Sequence, residues 1–253
     1  MAVLISVFLL LRMFFVYLNS RSEYQDIARI AVSTPLPTQL AAINPTTEEE
    51  TPITTEIPKE CVVPINVDWI NLRAMNKQIV AWLYCEGTDI NYPIVQTKNN
   101  TYYLTHNAKR KEDQAGALFL DYRNMIGKEL ENLIVYGHRM KDGSMFGLLN
   151  KFADKSYCDK HKEFYLLTPE ETYKIEVIAC RTVGSHSKYF PSSFTSTDTE
   201  KMYTDKAFSQ SYWQAAPEKK PDGAILLTLA TCSKYDFKED ARLIVHGWAV
   251  PID

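Results

Sequence analysis

The stretch AILLTLATCSKYDF, residues 224–237, carries an apolar run directly into Cys232 and then into polar, charged sequence. The run reads as a buried strand and the tail as a loop, which leaves the sulfur at a strand end where a substrate can reach it. A cysteine within a strand is ordinarily an inert packing residue. One at its end can be a nucleophile, provided a base or a cation favours the thiolate. Two other residues are placed alike. In NLIVYGHRMKDGSMF, residues 132–146, His138 follows a second short apolar run and precedes a glycine-containing loop. In DARLIVHGW, residues 240–248, Arg242 opens the last strand, and a hairpin through 233–241 returns it beside the cysteine. Sulfur, imidazole and guanidinium at one rim suit acyl transfer. The thiol attacks a carbonyl, the imidazole protonates the leaving amine, and the guanidinium steadies the oxyanion or clamps the substrate backbone.

The other histidines fit this chemistry less well. His246 lies four residues from Arg242 on the same strand, roughly 13 Å along it, and reads as a packed residue. His106, His161 and His186 fall in polar stretches with no flanking strand and read as surface residues. A papain-type pairing also wants an Asn or Asp to orient the histidine, and the sequence singles none out. The five cysteines (Cys61, Cys85, Cys158, Cys180 and Cys232) are odd in number, so at least one is unpaired, and they include no CxxC pair. Cys158 and His161, three apart, are too few ligands for a metal, so neither metal nor cofactor is expected.

These residues need a scaffold. Apolar runs rich in β-branched and aromatic residues recur at INYPIVQ, GALFLDYR, NLIVYGH, EFYLLT, ETYKIEVIACRTV, GAILLTLATC and ARLIVHGWAV, broken by Gly, Asn, Asp and Pro. No regular βαβ alternation appears, so a mainly β, closed or nearly closed barrel is expected rather than a Rossmann-like sheet. Asp68 is placed to cap a short helix carrying Ile70, Leu72 and Met75 ahead of the strand IVAWLYC. A second helix, TDTEKMYTDKAFSQSYWQ, is expected before the cysteine strand, with Thr197 and Glu200 at capping-box spacing and an apolar stripe of Met202, Phe208, Tyr212 and Trp213.

At the N-terminus, residues 2–18 form a 17-residue apolar run with one charge, Arg12, and no cleavage site of the A-x-A type follows. An uncleaved membrane anchor continuing as a helix is expected over 1–32. Arg21 and Arg29 follow the run, so the positive-inside rule alone argues against an external C-terminal domain. Residues 33–61 are rich in Pro, Thr and Glu without an aromatic, which suits an extended stalk. One catalytic domain is expected over 62–253. A net charge of −3 gives no sign of nucleic-acid binding.

TLATC with Arg242 ten residues on, and IVYGHRMKDGSMFGLL around the histidine, resemble the two signatures of sortases, the cysteine transpeptidases that attach surface proteins to the Gram-positive cell wall. The likeness spans residues 64–250. GTDINYPIVQTKNNTYYLTHN, AGALFLDYRN and the helix at about 197–214 are similar to class B members. The resemblance implies an eight-stranded sortase barrel with N-terminal helices and a helix between the strand ending near Val183 and the cysteine strand. It implies Cys232 as nucleophile, His138 as general acid and base, and Arg242 as transition-state stabiliser. It further implies a membrane-anchored enzyme with its catalytic domain outside the cytoplasm. The implied partners are proteins bearing a sorting signal, cut at a Thr-Gly-type bond, and peptidoglycan or its precursor as the amine acceptor. By local match, Val95, Tyr136, Tyr189, Phe190 and Thr231 fall near the substrate groove. Ala230 departs from the pattern, since many class B members carry a serine there. A cysteine peptidase that hydrolyses rather than transfers, and an inert membrane-tethered binding barrel, remain the alternatives.

Overall fold

The β-branched and aromatic runs close on themselves. In the computed structural model, which describes residues 2–34, 63–129, 131–184, 190–213, 219–232 and 241–252, the chain begins with helix α1 (Ala2–Ala31) and a two-residue pair of strands, β1 (Val32–Ser33) and β2 (Asn66–Val67). Helix α2 (Trp69–Met75) follows, capped by the Asp68 carboxylate, which accepts from the Asn71 N–H at 3.0 Å. Then come β3 (Ile79–Tyr84), β4 (Asn91–Val95), β5 (Leu118–Leu120), β6 (Asn132–Tyr136), α3 (Lys155–Lys160), β7 (Glu163–Leu167), β8 (Thr172–Gly184), α4 (Thr197–Ser209), β9 (Ile225–Cys232) and β10 (Ala241–Ile252). Strands β3 to β10 form a closed eight-stranded barrel in the order β10-β8-β7-β3-β4-β5-β6-β9. The β4–β5 and β6–β9 pairings are parallel, and the others are antiparallel.

Strand β9 is apolar on both faces because both are covered. Leu227 and Leu229 belong to the main core with Leu133, Val135, Leu243 and Val245. Leu226 packs outside with Ile178 and Trp248, beneath Phe194, Tyr203 and Phe208. A strand buried on both sides needs a continuous apolar run rather than an alternating one, which is what ILLTLAT supplies.

Helix α4 departs from its expected register. Its cap is Ser196 in a reciprocal capping box with Thr199, one residue before the expected Thr197. Both residues can cap, and the one with extended backbone does so. The buried face consists of Glu200, Thr204 and Ala207, small or ion-paired residues that let the helix lie close, so Met202 points to solvent, 72% exposed. Ile70 of α2 is likewise exposed, and Leu72 makes the buried contact.

Among the described residues no helix is long and apolar enough to cross a membrane, so the anchor expected at residues 2–18 has no support from the structure. The second half of α1 is instead docked on the barrel, with Tyr24, Ile27 and Ala31 buried. The Tyr24 hydroxyl donates to the Gly116 carbonyl at 2.7 Å, and Ser20 Oγ donates to Asp113 at 2.6 Å. The Glu23 carboxylate accepts from Asn107 at 2.8 Å and faces Lys109 and Lys111. Gly116 has a φ of +58°, and an added Cβ would lie 2.5 Å from the Tyr103 carbonyl, so that turn requires glycine. The stalk expected at 33–61 lies outside the described residues except at its edge, where Ser33 pairs with Asn66 and Val32 with Val67.

Candidate active site

Three elements converge on one end of the barrel. The β9–β10 register sets Cys232 opposite Arg242, so the last residue of one strand faces the opening residues of the next. On the other side of β9, the parallel strand β6 pairs Tyr136 with Ala230, and the Gly137 N–H donates to the Ala230 carbonyl at 3.2 Å. His138 is therefore delivered beside the end of β9. Gly137 has a steric reason: a Cβ there would come within 2.4 Å of Leu118 and 2.7 Å of Phe146, both packed in the core. Beyond the histidine, the loop is tied back on itself. The Phe146 N–H donates to the His138 carbonyl at 2.9 Å, Arg139 bridges to Met145, and the Met145 N–H donates to the Tyr92 hydroxyl at 3.1 Å.

A cleft of about 300 Å³ opens at this rim. Tyr136, Gly137 and His138 form one wall, Ala230, Thr231 and Arg242 another, and Asn100, Leu104 and Phe119 close the side. His138 Nε2 lies 2.7 Å from the Leu104 carbonyl. A carbonyl only accepts, so the neutral ring carries its hydrogen on Nε2 and takes up a further proton at Nδ1. The Arg242 guanidinium lies over the Tyr136 ring, 5.9 Å from its centroid, and the Tyr136 ring in turn packs against Phe119 at 5.3 Å. Burial raises the Tyr136 phenol well above the usual tyrosine range, and the Asp121 carboxylate reinforces this, so the ring stays neutral beneath the guanidinium.

Of the expected groove residues, Tyr136, Ala230 and Thr231 line this cleft. Thr231 Oγ1 is buried without a hydrogen-bond partner among the described residues. Val95 does not reach the cleft: it is fully buried in β4, paired with Phe119. Phe190 packs behind the wall against Ile134, Ala230 and Ile244. Tyr189 lies outside the described residues. Asn100 and Leu104 line the cleft without having been singled out. Both lie in KNNTYYLT, whose short 3₁₀ turn at Tyr102–Leu104 carries no spacing that points to a site.

His246 has a different setting. It is fully buried, with Nδ1 3.0 Å from Thr228 Oγ1, while Arg181 Nε donates to its Nε2 at 3.4 Å. Burial, with the Arg181 charge behind it, pushes its pKa down to about 3. The cysteines Cys85, Cys158 and Cys180 are also buried, and among the described residues none forms a disulfide. Burial pushes the first two thiols up to about 11 and about 12, and Cys180 higher still.

A closed barrel that ends one strand in a cysteine opposite an arginine, with that arginine and a histidine lining one cleft, has the architecture of a cysteine acyltransferase. A family model described as the Sortase domain matches residues 83–250. Sortase B of Listeria monocytogenes is 36% identical over 177 residues, covering 70% of this chain and 72% of that protein. Sortase B of Staphylococcus aureus is 27% identical over 69% of this chain and 71% of its own length. A crystal structure of sortase B from Bacillus anthracis superposes with a TM-score of 0.72 at 29% identity, covering 94% of this chain and 99% of that one. The S. aureus sortase B–substrate complex gives a TM-score of 0.67 at 26% identity, over 73% and 85%. The chain belongs to the sortase family of cysteine transpeptidases, and its likeness is to class B.

Proposed function

We propose that this sortase cleaves a C-terminal sorting signal at a Thr-Gly-type bond through a thioester on Cys232 and transfers the acyl group to an amine of the cell wall. The observation that carries this is the register pair of Cys232 and Arg242 beside the wall that presents His138. In the first step the Cys232 thiolate attacks the threonine carbonyl. The C–N bond breaks, His138 gives its proton to the departing amine, and Arg242 faces the oxyanion. In the second step His138 takes the proton of the incoming amine as that nitrogen attacks the thioester and the C–S bond breaks, restoring the thiolate. The half-buried rim favours an amine held against the cleft wall over free water.

The test is a set of short peptides differing in the residue after threonine (glycine, alanine or asparagine), incubated with the protein and excess triglycine and followed by mass spectrometry. Amide product with triglycine supports transfer, and preference for glycine supports the bond assigned. Only hydrolysed peptide under excess amine overturns transfer in favour of a peptidase.

Residues 2–18 tether the enzyme to the membrane in this proposal, with the catalytic barrel on the extracytoplasmic side. Its support is the composition of that run, a single charge in 17 residues. Full-length protein that washes off membranes in alkaline carbonate, as a form lacking residues 1–18 does, overturns the tether.

A further inference from the structure

The carboxylate of Asp121 is fully buried just behind the cleft, and the chemistry above makes no use of it. Its surroundings are dense. Arg123 donates to it twice, Nε to Oδ1 at 2.9 Å and Nη2 to Oδ2 at 2.8 Å, and the Arg123 backbone N–H adds a third bond at 3.0 Å. Oδ2 also accepts from Asn100 Nδ2 at 3.0 Å and from the Tyr136 hydroxyl at 3.1 Å. Both of those residues line the cleft. The Asn100 oxygen is occupied by the Tyr122 N–H at 3.0 Å, which fixes the way the amide faces. Arg123 Nη2 reaches on to the Phe190 carbonyl at 3.2 Å. A buried charge is tolerated only when it is paired and its lone pairs are filled, and here the groups that fill them are parts of the active-site wall.

We propose that Asp121 is a positioning residue for transpeptidation: clamped by Arg123, it holds the Asn100 amide and the Tyr136 phenol in the cleft wall and, through the Tyr136 ring, seats the Arg242 guanidinium. The carboxylate touches no substrate and acts through these three side chains. Burial alone would raise its pKa, but the Arg123 hydrogen bonds and charge outweigh that and hold it below the usual carboxylate range. The anion is thus present throughout the working pH range and accepts from both wall residues at once. Asp121 matters in this way only if Cys232, His138 and Arg242 act as assigned above.

The experiment is steady-state kinetics of the full chain with the Thr-Gly peptide and triglycine, beside the rate at which iodoacetamide labels Cys232. Asp121→Asn keeps the shape and removes the charge. It is expected to raise KM about tenfold and lower kcat about tenfold, since small misplacements of a positioned wall cost about that much each, while Cys232 labelling stays within about twofold. A loss of folded protein would lower the apparent kcat and leave KM unchanged, so the KM rise separates positioning from general damage. In an Asn100→Ala/Tyr136→Phe background, adding Asp121→Asn is expected to cost less than about twofold more, because the groups it positions are gone. Should Asp121→Asn fail to fold, Arg123→Gln, at a side chain 29% exposed, is expected to raise KM in the same direction. KM within twofold of wild type in both single variants, or a full additive loss in the double background, overturns the positioning role alone. Wild-type Cys232 that labels no faster than Cys85, Cys158 and Cys180 overturns the catalytic assignment and the positioning role with it.

Discussion

His138 follows one of the two strands that flank β9 and His246 lies within the other, yet the protein treats them in opposite ways. His138 sits half-buried at an open rim with one ring nitrogen on a backbone carbonyl and the other available to a proton. His246 is sealed between β9 and α4, and both its nitrogens are committed. From it a polar chain runs on: Thr228 Oγ1 donates to Asn132 Oδ1 at 2.6 Å, and Asn132 donates to the Pro191 carbonyl at 2.8 Å. At the far side Arg181 reaches Gln210 at 2.7 Å. Among the described residues Cys85, Cys158 and Cys180 are sealed in the interior, whereas Cys232 is the last residue of β9. The identical imidazole is open at the rim and a fastener inside, and what separates the two is access to solvent and the number of partners.

The largest effect expected from this contrast is at the rim. Cys232→Ala should abolish the thioester, and an acyl-enzyme adduct detected by intact-protein mass spectrometry in that variant would end its assignment as nucleophile. Arg242→Lys should lower kcat/KM by about 100-fold or more with little change in melting temperature, because an ammonium cannot reproduce the planar fork over Tyr136. Near-wild-type turnover would remove the arginine from the reaction. Inside, Cys85, Cys158 and Cys180 should label with iodoacetamide at pH 7.5 on the order of 100-fold more slowly than Cys232, since each needs to ionise against burial.

His246 gives the next effect, which is one of stability. Its folded pKa, about 3, lies below the ordinary histidine value. Between these two values the unfolded chain binds a proton that the folded chain refuses, so stability is complete above about pH 6.5 and falls as pH drops towards 3, by about 1.4 kcal/mol per pH unit. His246→Gln should cost about 3 kcal/mol at pH 7 by leaving Arg181 and Thr228 imperfectly partnered. It should also flatten the slope between pH 6.5 and 5 in urea titrations by about one proton. A variant as pH-sensitive as the wild type would contradict the sealed, neutral ring.

Much of this arrangement is legible in the residues, for reasons that differ by element. The approach of residue 242 to residue 232 follows from two strands joined by a short connection, which leaves few registers open. The closure of the barrel follows from runs too β-branched for helices and too closely spaced for βαβ units. The wall next to β9 is another matter. Tyr136 meets Ala230 through a parallel pairing across more than ninety residues, and local sequence carries no sign of it. Asn100 and Asp121 meet for the same reason, each polar and unremarkable until a long-range contact joins them. On α4 and the turn after it hydrophobicity alone marks Phe208 and Trp213, which do pack on the core, but also Met202 and Tyr212, which are exposed. Thr204 and Ala207 are small enough for the close approach the barrel requires, and Glu200 is neutralised by Lys220 at 2.7 Å. Val95 shows the converse error. Likeness to a family stretch marks a segment, but whether a side chain faces a groove or the core depends on a strand parity that only the register reveals.

The smallest effect is also the sharpest test of how separate the two regions are. Thr228 pairs with His246 across β9–β10 and with Ile134 across β6–β9, four residues before Cys232. Thr228→Val keeps the shape but removes a hydroxyl that donates to Asn132 and accepts from His246, and should cost about 2 kcal/mol. Four residues of strand span roughly 13 Å, and Leu229, Ala230 and Thr231 between them are all buried and packed. A packed strand gives little to a local loss of hydrogen bonds, so kcat and KM per folded molecule should stay within about twofold of wild type. If turnover of Thr228→Val instead falls tenfold while its folded fraction stays full at the assay temperature, then the sealed chain from Gln210 to Pro191 sets the position of the cleft, and rim and interior are one device.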